Sequence, residues 1–519
     1  MNKKLDLQKN ILGGVTAAII ALPLALAFGV ASGLGPAAGL YGAIILGFLA
    51  SLFGGTPTQI SGPTGPMTVV VASSVGALGG DITLIVTVIF LSGVFQILFG
   101  IFKIGKFVQY IPYPVISGFM SGIGVIIIIL QFNPYLGLAS DASVMHILYT
   151  LPSHISQINT GAFVLATSTL AIMFFTPARI AKVIPTPLIA LLVLAPISVY
   201  FNLQVETIGE IPSTLPTLIF PTLNIENYRL ILTLAVTLAV LGTIDTLLTS
   251  IVADSITNTK HDPNRELIGQ GIGNIACSFV GAVPGAGATM RTVINVKSGG
   301  TNRISGMFHA VILLLIVLFL APFASQIPLA VLAGILIKVG IDIVDYRFLA
   351  IWRESPKYDL AVMITVFLIT VFFDLITAVG AGVLLSSLLI VYRITKASQI
   401  TLQNQDHDID EKYNLADKKA RIVKINGAFF FGSSTAFERE ANKILDPRTV
   451  IIDILDVPFI DITAIFTLKD LISKLNFDNV KVVIVTDDRY KAKFLKLNKT
   501  KIFDKVDFYR SIDDAVENI

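Results

Sequence analysis

Long apolar runs, each of bilayer-spanning length, alternate with short polar connections over roughly the first three quarters of the chain. Residues 82–101 form one such run and residues 311–322 with their flanks another, and each predicts a membrane-spanning helix. The basic start MNKKLDLQKN precedes the first run, and no small-residue cleavage site follows, so this run is expected to remain as the first span. Twice the apolar pattern breaks into Gly/Pro-rich sequence before turning helical again: GGTPTQISGPTGPMTVV (54–70) and GAVPGAGATMRTVI (281–294). Irregular backbone at membrane depth is tolerated only where it lines a cavity or is buried in protein. Both stretches therefore predict half-helices that begin near mid-membrane.

After LLSSLLIVYRITKASQ the regime changes. A polar stretch, QNQDHDIDEKYNLADKKA, is followed by strand-like ARIVKINGAFFFG and TVIIDILDV, helix-like ITAIFTLKDLISKL, strand-like VKVVIVTDD and a closing SIDDAVENI. Alternating strands and helices predict a small α/β domain. The expected organisation is a transmembrane transport domain over 1–398, a linker over 399–419 and a cytoplasmic domain over 420–519.

The membrane part also repeats itself. IPYPVISGFMSGIGV (111–125) matches IPLAVLAGILIKVGI (327–341), and PMTVV from Pro66 matches MRTVI from Met290, in the same order and at similar separations. Interrupted segments at corresponding places in two halves point to a transporter's binding site.

Composition agrees. The 519 residues are 54% hydrophobic and 14% charged, with a mean hydropathy of +0.78, which indicates a polytopic membrane protein. A net charge of +3 makes no case for nucleic acid. The single Cys277 cannot form an intrachain disulfide and is expected to fill apolar space. Basic residues cluster in alternate connections: Lys103 and Lys106, Arg179 and Lys182, Lys260 and Arg265, Lys297 and Arg303, then Arg347, Arg353 and Lys357. Residues 133–160 and 203–228 contain no Lys or Arg. The positive-inside rule then places both termini in the cytoplasm.

Candidate chemistry is sparse. Asp245 interrupts an apolar span, and intramembrane carboxylates are usually functional. Thr249 lies one turn on, on the same face. A carboxylate and a hydroxyl so placed suit a small hard cation, with carbonyls of the broken helix near Gly287 completing the shell. Asp254 lies on the opposite face near a charged connection and reads as a solvated helix end. The two half-helix N-termini, facing one another, make an anion site from free N–H groups and dipole ends. Arg291 either adds positive potential behind that anion or pairs with a nearby carboxylate or carbonyl. Thr64 and Thr289 either offer hydroxyls to a substrate or cap their helices. GQGIGN (269–274) mimics a dinucleotide fingerprint, but no strand precedes it, and small-residue helix packing is expected. No catalytic constellation stands out, so an enzyme has no support.

LPLALAFGVASGLGPAAGLYGAI, GGTPTQISGPTGPMTVVVA, NRELIGQGIGN and PGAGATMRT resemble the SulP family of anion transporters, and VKINGAFFFGSSTAFE with VIIDILDVPFIDITAI resembles its STAS domain. The resemblance implies an α-helical polytopic fold of fourteen transmembrane segments in a 7+7 inverted repeat, core and gate domains, and a homodimer in a bacterial cell membrane. Within the family the likeness is greatest to cyanobacterial sodium-dependent bicarbonate transporters. By motif, this implies a sodium site of Asp245, Thr249, Gly287 and Thr289, and substrate contacts at Thr64, Ala288 and Thr289, with Pro23 and Phe28 shaping the cavity. Leu24 stands where many members have Gln. In FIDIT, Ile462 replaces the phosphorylatable Ser of related soluble domains, with Thr463 and Ala464 following, so a structural or dimer-contact role is expected for this loop. The rivals are transport of sulfate, chloride or a dicarboxylate, proton coupling, and a non-transporting membrane sensor with STAS output.

Overall fold

The computed structural model describes residues 3–519 except 107–110, 142, 155–156, 182–183, 210–215, 223–226, 374, 403–412, 414, 416 and 442–446. Lys182 and most of the expected linker thus lie outside the described residues. The chain divides into two units, 1–383 and 384–519. The division falls inside the last long apolar helix, whose most apolar window is only 17% buried, rather than after it.

The first half of the membrane unit runs α1 (Lys3–Ala31), α2 (Pro36–Phe53), the short strand β1 (Ser61–Gly62) leading into α3 (Gly65–Ala77), then α4 (Ile82–Ile101). It continues with α5 (Tyr113–Leu130) and its extension α6 (Phe132–Leu136), a short α7 (Val144–His154), α8 (Thr160–Phe175), the single turn α9 (Ala178–Ala181) and α10 (Thr186–Tyr200). The second half runs α11 (Tyr228–Thr257), α12 (Pro263–Ser278), β2 (Ala286–Gly287) leading into α13 (Thr289–Lys297), and α14 (Arg303–Ala324). Then come α15 (Leu329–Ile343), short α16 (Tyr346–Ala350), α17 (Lys357–Phe372) and α18 (Leu375–Ala397), which continues beyond the membrane unit's boundary. Among the described residues, six of these helices are long and apolar enough to cross a membrane by themselves. Several helix starts carry a side-chain cap: Asp81 accepts from the Thr83 N–H at 2.9 Å, Asn159 from Ala162 at 3.1 Å and Asp262 from Asn264 at 3.0 Å.

Setting α1, α2, α3, α4, α5, α8 and α10 against α11, α12, α13, α14, α15, α17 and α18 reproduces the packing under exchange of halves. Helix α4 packs on α12 as α14 does on α2; α1 packs on α14 as α11 does on α4. Likewise α3 packs on α11 as α13 does on α1, and α5 on α17 as α15 on α8. The strands β1 and β2 pair antiparallel, Ser61 opposite Gly287 and Gly62 opposite Ala286, so the halves run in opposite directions where they meet. The matched segments at 111 and 327 start alike, with Pro112 and Pro328 as N-caps of α5 and α15. Their glycines Gly124 and Gly340 face each other's carbonyl, at distances where neither helix has room for a Cβ. The internal repeat read from the sequence is thus visible in three dimensions.

Two packing sets result. Helices α1–α4 and α11–α14 form one; α5, α8, α10, α15 and α17 form the other, with Gly382 of α18 set against Val366 and Val115. A cavity of about 510 Å³ opens between the sets near the end of α3, lined by Val69, Ser73, Ile126, Asp141 and Thr370 among others. The connections that follow an odd-numbered segment of the fourteen contain no Lys or Arg, and all the basic connections named above follow even-numbered ones.

The second unit contains a five-stranded sheet: β3 (Gln399–Leu402), β4 (Ala420–Asn426), β5 (Thr449–Asp453), β6 (Lys481–Val485) and β7 (Asp507–Tyr509), in that spatial order. Only β3 is antiparallel to its neighbour. Helices α19 (Phe431–Ala441), α20 (Ile462–Phe477), α21 (Asp488–Lys496) and α22 (Ile512–Glu517) connect and cover it. Every residue of β5 is buried, as a parallel strand covered on both faces requires. Val450 and Ile452 join one core with Leu468 and Phe494, while Ile451 joins the other with Val483 and Ala515. Asp461 of FIDIT caps α20 through Ala464 at 2.8 Å and also accepts from the Phe431 N–H at 3.0 Å. This is a structural role for that loop; Ile462 itself is exposed.

Candidate functional site

The irregular stretches 54–64 and 279–288 lie between the two halves, where their backbone polar groups need protein partners. Side chains of α11, α12 and α13 supply many of them. Asn274 both accepts from the Gly285 N–H (2.9 Å) and donates to its carbonyl (3.0 Å). Thr246 accepts from the Gly287 N–H at 3.0 Å, and Thr292 from that of Ile60 at 3.0 Å. Asn295 donates to the Thr58 carbonyl at 2.8 Å, and the Ala288 N–H to the Ile60 carbonyl at 2.8 Å. Two chain breaks more than 200 positions apart are thereby bound into one object.

Three of the four residues expected to hold a cation meet there. Thr249 Oγ1 lies 2.9 Å from the Gly287 carbonyl oxygen and 2.6 Å from Thr289 Oγ1. Asp245 sits one turn earlier on α11, only 7% exposed. The Thr64 hydroxyl lies beside its carboxylate, yet neither that hydroxyl nor Asp245 Oδ2 completes a hydrogen bond. A buried carboxylate oxygen without a donor is costly. Thr249 lies one turn along α11 from it and meets Thr289 and the Gly287 carbonyl, and all four are oxygen donors of the kind an alkali cation takes.

The residues expected to contact an anion lie at the adjoining helix starts. Thr64 is the N-cap of α3 and Ala288 that of α13, and neither supplies a side-chain cap. The capping alternative for Thr64 therefore fails, and Thr289 is the first residue of α13 rather than its cap. First-turn N–H groups have no intrahelical acceptor, so both helix ends point free donors and positive dipole ends at the seam. Phe28 is buried on α1 beside the start of α3, its ring 3.9 Å from where a Cβ on Gly65 would lie. Pro23 is buried within the same helix.

Arg291 is 1% exposed and donates through Nη2 to the Pro63 carbonyl at 3.2 Å. Its Nε and Nη1 have no partner, and Nη1 lies against Gly62, behind the strand pair. The carbonyl-pairing reading holds in part, but no carboxylate cancels the charge among the described residues. Asp254 meets the His261 ring at 2.7 Å at the end of α11, away from the site. In GQGIGN, Gly271 packs against Gly93 of α4 and Gly273 against Leu46 of α2, which is helix packing and not nucleotide chemistry. Cys277 is fully buried, as expected.

Sequence reasoning passed over Gln59, Thr246, Ser250, Glu266, Gln270, Asn274, Thr292 and Asn295, most of them fully buried. A signal existed: Glu266, Gln270 and Asn274 recur every fourth residue, a polar stripe along one face of α12.

Comparison with known proteins bears on this geometry. The sulfate permease family matches residues 7–366 and the STAS domain residues 414–515. A bicarbonate transporter, BicA, of Picosynechococcus is 43% identical over 96% of this chain and 92% of its own. The solved transmembrane domain of a cyanobacterial BicA is 48% identical, with a TM-score of 0.68 over 72% of this chain and 98% of that one. The inward-facing murine Solute Carrier 26 family member A9 anion transporter, at 21% identity, shares the fold over 98% of this chain and 91% of its own, with a TM-score of 0.86. This integral membrane protein, with its paired half-helices and C-terminal α/β unit, belongs to the sulfate permease family of transporters and carries a STAS domain.

Proposed function

We propose that the chain imports bicarbonate with sodium by alternating access, the two packing sets moving against one another around the paired half-helices. The observation that carries this is the unpartnered Asp245 oxygen one turn along α11 from Thr249, which itself meets Gly287 and Thr289, adjoining two helix N-termini. The relatives named bicarbonate transporters add weight.

The charges explain the coupling. Each helix N-terminus is equivalent to about half a positive charge, so the pair roughly balances one monovalent anion. An empty cation site would set the negative Asp245 against that anion. Sodium on Asp245, Thr249 and the Gly287 carbonyl cancels it, and Thr289 stands between the two ligands. A divalent anion such as sulfate would leave about one further charge for Arg291 to meet from behind the strands.

In proteoliposomes, labelled bicarbonate uptake is expected to require an inward sodium gradient and to exceed uptake of sulfate, chloride or a dicarboxylate. Uptake indifferent to sodium, including uptake driven by protons alone, would defeat the coupling.

The setting is a bacterial cell membrane, with both termini cytoplasmic, a homodimer, and a cytoplasmic partner for the STAS domain. The absence of Lys and Arg from every odd connection supports this orientation. In a Cys277→Ser background, a cysteine placed at Asn258 should react with impermeant reagents only from the cytoplasmic side; labelling from outside would reverse the topology.

A further inference from the structure

Glu266 stands on α12, 1% exposed, and two backbone N–H groups and two side-chain amides donate to its carboxyl, with the Thr56 hydroxyl also beside it. Oε2 accepts from the N–H groups of Gly55 at 2.8 Å and Thr56 at 2.7 Å. Oε1 accepts from Nε2 of Gln59 at 2.8 Å and of Gln270 at 2.9 Å. Against any of these four donors a protonated carboxyl would turn its own hydrogen, so they favour the carboxylate.

The chain of bonds continues toward the cation residues. Gln59 Oε1 accepts from Ser250 Oγ at 3.0 Å, which also meets Thr56 Oγ1 at 2.8 Å. Ser250 lies one turn beyond Thr246, whose hydroxyl takes the Gly287 N–H, and the Thr246 carbonyl, 3.0 Å from Ser250 Oγ, shares the single hydrogen of that Ser250 hydroxyl with Gln59 Oε1. The Gln59 amide is pressed against Gly287 itself: a Cβ there would come closer than 3.0 Å to its carbon and to both terminal atoms. The orientation of this amide is set by Glu266, which takes its N–H, with the Ser250 hydroxyl 3.0 Å from its oxygen on the other side.

We propose that Glu266 is a positioning residue for the cation site: a buried carboxyl that takes the Gln59 N–H, fixes that amide against Gly287 and so holds the Gly287 carbonyl toward Thr249. This rests on the sodium-coupled reading. It makes Gln59 the link through which Glu266 acts on the site.

The test uses full-length protein in proteoliposomes, with uptake followed against sodium concentration. Glu266→Gln puts an amide N–H against the Gln59 donor and forces that amide to turn. Its sodium KM is expected to rise about 10- to 100-fold, the usual cost of losing an outer-shell partner, with the rate at saturating sodium largely kept. Combining Glu266→Gln with Gln59→Glu exchanges donor and acceptor, lets Gln270 turn to suit, and should return the sodium KM toward the native value. Gln59→Met, which leaves Glu266 three of its donors, should raise it as well and serves if Glu266→Gln does not fold. A residue that only stabilises the fold would lower folded yield without shifting sodium KM, and the exchange would not rescue it. Folded variants with native sodium KM, or failure of all three to fold, would overturn the inference alone. Sodium-independent uptake by the native protein would overturn it together with the coupled reading.

Discussion

Replacing Asp245 with asparagine is expected to abolish sodium-driven uptake, by about 100-fold or more, while folded protein still reaches the membrane. The substitution keeps the side chain's shape, so no cavity opens on α11. It also leaves the buried oxygen that has no donor in the native protein free of charge. Without sodium the variant should therefore melt no lower than the native protein. What it loses is attraction: a unit charge about 4 Å from a cation contributes about 4 kcal/mol at an effective dielectric of 20, close to a thousandfold in occupancy. Two measurements check this, uptake in proteoliposomes and the shift in melting temperature on adding sodium. The native protein should show both responses and Asp245→Asn neither. A variant that transports with native sodium dependence would remove Asp245 from the site.

The second large effect belongs to Gly285. A Cβ there would fall on the Gly62 carbonyl and 2.7 Å from the Pro63 nitrogen, and both obstacles are backbone in the opposing broken segment. No rotamer change relieves that, so Gly285→Ala must part the two strands or move both helix starts. Forced shifts of this kind cost about 1–3 kcal/mol where side chains can give, and more where they cannot. Folded yield and uptake should fall together, with the melting temperature lowered in whatever protein is recovered. Gly380→Ala on α18 is the control, since nothing lies within 4 Å of its added methyl. Helix propensity alone predicts that change to be neutral or stabilising by about 1 kcal/mol. Equal behaviour of the two variants would mean that the strand contact is not what Gly285 serves.

Much of this was legible along the chain because its causes are local. An apolar run of bilayer length and a Gly/Pro interruption each act within a few residues, and they delivered the spans and the half-helices. Asp245 and Thr249 were legible for the same reason, being one turn apart on one helix. The shell around them was not. Glu266 meets Gly55, Asn274 meets Gly285, and Asn295 meets Thr58, and most of these pairs join residues that only the folded halves bring together. In the sequence they are single polar residues in a packing helix, and their meaning comes from the backbone they satisfy. Arg291 was visible as a buried charge, but its pairing with the Pro63 carbonyl depends on the strand contact.

That contact has a consequence for how the protein is made. Ser61 and its partner Gly287 are about 226 residues apart, and among the described residues neither strand has another strand to pair with. At about 5–20 residues per second on the ribosome, the first broken segment waits roughly 10–45 s for the second. During that interval its exposed backbone must be sheltered by the insertion machinery or by water. The strand pair therefore cannot form until well over half of the membrane unit has been made. An N-terminal fragment released before residue 287 would hold half a site with nothing to pair it, and the cell's quality control has a clear feature by which to recognise it.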